Sequence, residues 1–244
     1  MPLQNRVTPR GEIVAVAARG SLMGNRGRLH DAERRLVRGH VPGYRAWVTC
    51  VLQFKGRRRV VMTPGRYTEL FFLDEATALA AGHRPCGECR RADFLCFKRA
   101  WLAGNRQFRL PAGVMIAPID RQLHADRLDA QGRQRTFDAD LATLPDGVFV
   151  GRADDPAAWL LWRKRLWPWS PAGYGEPRRI GRGRVVVLTP RSTVAALAAG
   201  YAPAVVMAPS RPQRRRGASS RRGTASVVRL RPRPGRPRRG STRP

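Results

Sequence analysis

The segment Asp74-Glu-Ala-Thr-Ala-Leu-Ala-Ala-Gly82-His-Arg-Pro-Cys86-Gly-Glu-Cys89 constrains this chain more than any other. Asp74 is an N-cap residue type, residues 75–81 have helical composition, and Gly82 supplies the C′ position at which a helix stops. The two cysteines that follow have Cys-x-x-Cys spacing, which sets two sulfurs on one tight turn. Such a pair is half of a tetrahedral site, each sulfur about 2.3 Å from a single Zn²⁺. The flanking Arg84, Arg90 and Arg91 are expected to lower the thiol pKa values. A thioredoxin-like redox pair opens a helix after a strand within a βαβ pattern, and this pair instead follows a helix. Two incidental cysteines on a turn remain the alternative reading.

Zinc needs further ligands. Cys50 lies on a strand expected over Trp47–Phe54, close enough in sequence to fold back over the turn, so the expected metal set is Cys50, Cys86 and Cys89. Cys96 and His83 read better as packing residues, and His124 as part of a helix surface. His40 has no supporting context. His30 ends the glycine-rich run Gly20–His30, where it reads as a ligand or a catalytic base. With Asn25 and Arg26 it forms the weak catalytic candidate set, and a polar cleft with Glu12 or Glu69 would favour that enzyme reading, with a purely structural zinc.

The run EATALAAGHRPCGECR resembles the second half of the zinc-binding domain of Ada-type DNA-repair proteins, in which a helix ending in glycine precedes the second cysteine pair of a four-cysteine site. The resemblance spans residues 67–91. Over residues 5–205 the chain also resembles an uncharacterised proteobacterial family sharing MGNRG, CVLQFKGRRR and YTELFFLDEATALAAGHRPC. The Ada-type likeness implies Zn²⁺, DNA and repair. Its first cysteine pair would fall near positions 50–60, where only Cys50 stands. Methyl transfer to a zinc-bound thiolate uses a cysteine of that pair, so that activity is not implied here.

The rest of the chain reads as α+β: short antiparallel hairpins, a few helices, one zinc knuckle and a disordered basic tail. Residues 12–19 are expected to form a strand, 20–30 a loop needing positive φ, and 47–54 with 59–62 a hairpin turning at Lys55-Gly56. Arg90–Leu102 is expected to be a helix burying Phe94, Phe97 and Trp101. A second helix is expected over Ile119–Leu128. A Trp-rich hairpin over 158–169 carries a charged tip. Trp47, Cys50, Leu52, Leu70, Phe72, Leu79, Phe94 and Trp101 are expected to share one core. Thr77–Pro85 is echoed by Ala195–Pro203 in helix, glycine, ring and proline. The expected organisation is a zinc-knuckle domain over 1–135, a β-rich segment over 136–205 packed on it, and a tail over 206–244.

Charge points to partners. The chain has 47 basic and 17 acidic residues, a formal net charge of +30, and nearly all its cations are arginines. Arginine suits bidentate phosphate contacts, although a GC-rich gene produces the same bias. Lys55, Arg57, Arg58 and Arg59 on one tip, and Arg163, Lys164 and Arg165 on another, interleave with aromatic residues as DNA or RNA surfaces do. Residues from Arg211 onward hold 13 arginines and no acid. That composition cannot bury a core, and reads either as a polycation that binds nucleic acid by counterion release or as translation in a shifted frame. No apolar run approaches the roughly 20 residues of a membrane span, residues 1–6 lack a signal-peptide core, and four cysteines are too few for a disulfide scaffold. The expectation is a cytoplasmic protein without a membrane partner.

Overall fold

A computed structural model describes residues 1–58, 60–152 and 155–207. The described chain forms one compact unit, built from two mostly antiparallel sheets and four α-helices, so the fold is α+β. Arg59 and the basic tail from residue 208 lie outside the described residues.

The first sheet contains β1 (Gln4–Val7), β2 (Ile13–Ala15), β3 (Leu22–Asn25), β4 (Val48–Cys50), β5 (Leu70–Phe72) and β6 (Arg84–Pro85), in the order β2-β1-β5-β3-β4-β6. Two of its pairings, β1 with β5 and β4 with β6, are parallel. Helix α1 (Glu75–Ala80) follows β5 directly. After β6 come α2 (Arg91–Gly104) and α3 (Ile116–Arg127). The second sheet contains β7 (Phe137–Asp140), β8 (Phe149–Arg152), β9 (Asp155–Trp162), β10 (Arg165–Ser170), β11 (Gly173–Tyr174), β12 (Arg178–Arg179) and β13 (Arg184–Val187). Its order is β11-β10-β9-β8-β13-β7, with β12 on β10. Helix α4 (Arg191–Ala198) ends the regular structure.

Helix α1 joins the two halves. All six of its residues are buried. Ala78, with Ala81 just beyond the helix, packs into the first-sheet core around Val7, Leu70 and Phe72. Ala76 and Ala80 pack into the second-sheet core around Phe149, Leu160 and Leu188. Leu79 enters a third cluster with Phe97, Trp101, Ile119 and Leu197. Its small side chains let both sheets approach it closely. Asp74 caps it, accepting from the Thr77 backbone N–H at 2.9 Å, as its residue type predicts.

Both echoed segments end their helices in one way. Gly82 (φ +81°) donates to the Leu79 carbonyl and His83 to that of Ala78. Gly200 (φ +98°) donates to Leu197 and Tyr201 to Ala196. These are paired Schellman bonds, which glycine at C′ permits, and both rings are buried behind them.

Three expectations are corrected. The glycine-rich run is not a loop throughout, because Leu22–Asn25 is a central strand. A Cβ at Gly24 would stand 2.4 Å from the Val48 carbonyl oxygen and 2.8 Å from the Phe72 ring, so the glycine serves close packing. Residues 47–62 are not a hairpin. Strand β4 already has β3 on one edge and β6 on the other, and the chain after Cys50 leaves the sheet through a turn closed by Arg57 N–H to the Phe54 carbonyl. The expected single core is also split: Leu70 and Phe72 lie in one cluster and Leu79 and Trp101 in another, while Leu52 is 50% exposed. The Trp-rich hairpin forms as β9 and β10, with Arg163 and Lys164 both at positive φ in its two-residue turn, a type I′ requirement. No described helix is long and apolar enough to cross a membrane.

Burial lowers the His83 pKa well below 6.5, with Arg26 and Arg127 acting in the same direction. Burial also lowers His124, to about 4, and His40. The unfolded chain therefore takes up protons near pH 6.5 that the folded chain refuses. Stability from these neutral rings is complete above that value and is lost as pH falls below it. Urea midpoints should fall between about pH 7.5 and pH 5, and His83→Phe should flatten part of that slope. A midpoint independent of pH over this range would contradict the assignment.

Candidate metal centre

Cys50 is the last residue of β4, and Cys86 follows β6 directly. The parallel register sets Val48 beside Arg84 and Thr49 beside Pro85, and the Cys86 N–H donates to the Thr49 carbonyl at 2.9 Å. This pairing carries Cys86 alongside Cys50. The turn then closes with Arg90 N–H on the Cys86 carbonyl, which returns Cys89 to the same place. The three sulfurs all lie within 4.8 Å of one another and can hold a metal ion.

Two buried arginines fix this turn from either side. Arg84, just before it, forms a bidentate pair with Asp120 of α3, both contacts at 2.7 Å. Arg90, just after it, binds Glu75 of α1 at 2.7 Å and the Thr49 hydroxyl at 3.0 Å. Glu75 also accepts from the Tyr201 hydroxyl at 2.6 Å and the Ala204 N–H at 2.9 Å. Arg84 and Arg90 therefore do not serve as the expected thiol activators, because their charge is taken up by carboxylates, while Arg91 is exposed and lies over the Phe94 ring. Sulfur hydrogen bonds act instead. The Cys50 thiol donates to Cys86, and with the backbone N–H groups of Cys89 and Glu88 this lowers the Cys86 pKa. The same bond, then burial, pushes Cys50 up, and burial raises Cys89.

The cysteines are half-buried and line a cavity of about 550 Å³. Its other walls include Met23, Phe54, Tyr67, Phe71 and Arg57. Glu88 stands in the wall, 3.3 Å from Arg57 and 3.9 Å from Lys55. Of the first basic tip, Lys55, Arg57 and Arg58 are exposed on the turn beside this cavity. Of the second, Arg163, Lys164 and Arg165 are exposed at the turn of β9 and β10.

The weak catalytic set is not brought together. His30 is buried, with Nδ1 2.6 Å from the Thr68 hydroxyl and Nε2 3.2 Å from the Thr63 carbonyl. Asn25 accepts from the Tyr44 hydroxyl at 3.0 Å and lines the cysteine cavity. Arg26 lies against Trp47 and lines a different cavity. The carboxylate of Glu69 is held by the Met62 N–H at 2.8 Å. Cys96 is exposed on α2, and His83 packs between Trp47 and Phe72. Sequence reasoning missed Glu75, Asp120 and Thr49. An acid in the first turn of a short helix carries no mark that it will meet an arginine from beyond the next turn.

Comparison of the chain with known families, characterised proteins and solved structures finds no match.

Glu75→Gln would remove the buried carboxylate of Arg90 and leave it the half-exposed Asp93, at 2.8 Å. The expected loss is about 1.5–3 kcal/mol of unfolding free energy in urea, with Cys50, Cys86 and Cys89 becoming more reactive to a thiol reagent. A loss below ~1 kcal/mol would show that this pair does not organise the turn.

Proposed function

We propose that this chain binds one Zn²⁺ through Cys50, Cys86 and Cys89 and uses the site as part of a nucleic-acid-binding surface. The observation that carries the reading is the convergence of three sulfurs from two separate stretches of chain. The donor set fits the ion: three soft thiolates suit zinc better than hard cations, and the Glu88 N–H already points at Cys86 Sγ at 3.4 Å. The ion would hold all three sulfurs as thiolates and tie β4 to the turn after β6. Among the described residues no fourth Cys, His, Asp or Glu joins the group. A tetrahedral ion with three protein donors keeps one position for another ligand.

Nucleic acid is the partner that the surroundings favour. Lys55 and Arg57 lie over the Phe54 ring at 5.1 and 5.6 Å, a mixture of cation and aromatic face suited to phosphate and base contact. The net charge of +30 adds long-range attraction. The Ada-type resemblance of residues 67–91 extends the proposal to DNA repair.

Metal analysis combined with DNA and RNA titrations across salt tests both parts. Purified protein should carry one zinc per chain, lost in Cys50→Ser, Cys86→Ser or Cys89→Ser and kept in Cys96→Ser. Substituting Lys55, Arg57 and Arg58 by Ala should weaken duplex binding and reduce the log K–log salt slope by about 0.9 per lost phosphate contact. Zinc-free protein would overturn the metal assignment. An unchanged slope would remove this turn from the nucleic-acid surface.

A further inference from the structure

A second cavity, of about 450 Å³, contains two buried guanidinium groups without a carboxylate. Arg26 is 3% exposed and Arg127 2%. Each holds its guanidinium carbon 4.3 Å from the Trp47 ring. Their hydrogen-bond acceptors are chiefly carbonyls: Gly11 at 2.9 Å and Gly39 at 3.3 Å for Arg26, Gly82 and Arg45 both at 2.6 Å for Arg127. Arg26 also reaches His83 Nε2, at 3.5 Å. Arg26 Nη2 and Arg127 Nε are buried with no partner. Arg84 and Arg90, buried to a similar depth, each have a carboxylate at 2.7 Å. The nearby Asp120 is not a substitute, since both its oxygens are held by Arg84.

Burying an unpaired charge costs several kcal/mol, and both groups register that cost: burial lowers each pKa to about 9, which still leaves them charged at neutral pH. The same cavity is lined by His40 and by Arg133, which is paired with Asp129 at 2.9 Å; among the described residues the acid on its wall is Glu12, exposed and 3.4 Å from the Thr8 hydroxyl. Among the described residues no carboxylate pairs with Arg26 or Arg127, and each keeps an unpartnered N–H.

We propose that this cavity binds the phosphoryl group of a small molecule, with Arg26 and Arg127 as its buried donors. A phosphoryl group offers several acceptor oxygens to the one unpartnered nitrogen that each guanidinium keeps, Arg26 Nη2 and Arg127 Nε, in charge-assisted hydrogen bonds. The volume exceeds what a bare ion fills, leaving room for a small organic group beside the phosphate. The burial of both guanidiniums excludes the backbone of a nucleic-acid duplex, which reaches surface cations only. This site shares no lining residue with the cysteine cavity and does not depend on zinc.

Calorimetric titration with inorganic phosphate and with glycerol 3-phosphate, at constant ionic strength set with chloride, tests the site. The expected result is saturable one-to-one binding, with the two probes competing and chloride inactive. Arg26→Lys should weaken it, but that variant disturbs the Trp47 packing. Two milder changes keep the test decisive. Arg133→Glu reverses the charge of a lining side chain that is 75% exposed, giving up only its surface pair with Asp129, and should weaken both probes by about tenfold. Gly39→Glu places a carboxylate on the cavity lining, where a Cβ meets nothing within 4 Å, and should abolish binding without lowering the unfolding temperature. Cys86→Ser should bind both probes as the parent does, which separates this site from the metal centre. No saturation by about 50 mM of either probe, or binding untouched by Arg133→Glu and Gly39→Glu, would overturn the proposal. Displacement of both probes by duplex DNA in proportion to its phosphate would overturn the small-molecule assignment.

Discussion

The buried pairs Arg84–Asp120 and Arg90–Glu75 hold the cysteine turn to the rest of the protein, one on each side of it. A paired charge in the interior adds little net stability, because desolvation cancels most of the Coulombic gain. Its effect lies in direction: an arginine that must meet its carboxylate admits few positions for the chain that carries it. Glu75 also receives Tyr201 and Ala204, so the C-terminal stretch after α4 closes on the same centre. Thr49 completes the link, since its hydroxyl accepts from Arg90 one residue before Cys50. The sulfurs converge because the β4–β6 pairing sets Cys86 beside Cys50, and Arg90, held by Glu75 of α1 and the Thr49 hydroxyl of β4, fixes the far side of the turn.

Carboxylates are scarce in so basic a chain, and their placement divides the buried arginines among the described residues into two groups. Those beside the cysteines are neutralised inside the fold. Arg26 and Arg127 are left with carbonyl oxygens and the face of Trp47. Strand β4 connects the two situations over three residues: Trp47 precedes it at the arginine cavity, and Cys50 ends it at the cysteine cavity. A pocket with two arginines and a thiol cluster thus share one short, doubly paired strand, whose position both depend on.

What the sequence discloses follows the range of the interactions. The Asp74 cap, the Gly82 stop and the apolar face Phe94–Phe97–Trp101 are local, and the structure shows each of them. The nearness of Cys50 to Cys86 and Cys89 was legible as chemistry, from cysteine spacing, although the strand pairing that achieves it was not. Gly24 shows why. Its lack of a side chain reads as a loop signal, yet the reason is the Phe72 ring and Val48 carbonyl crossing it, contacts from distant sequence. The same holds for β4, whose hairpin expectation ignored a competing partner that arrives only after α1. Arg26 was noticed as a catalytic candidate, but its burial against Trp47 and its want of a carboxylate are invisible until Arg127 of α3 is set beside it.

The central claim is a three-cysteine metal site that the fold itself organises. Zinc K-edge X-ray absorption of the zinc-loaded full chain tests it directly. The account predicts three sulfur scatterers at about 2.3 Å and one oxygen or nitrogen at about 2.0 Å, with the sulfur shell reduced in Cys50→Ser. Four sulfurs around the ion, or a spectrum with only oxygen and nitrogen neighbours, would contradict it.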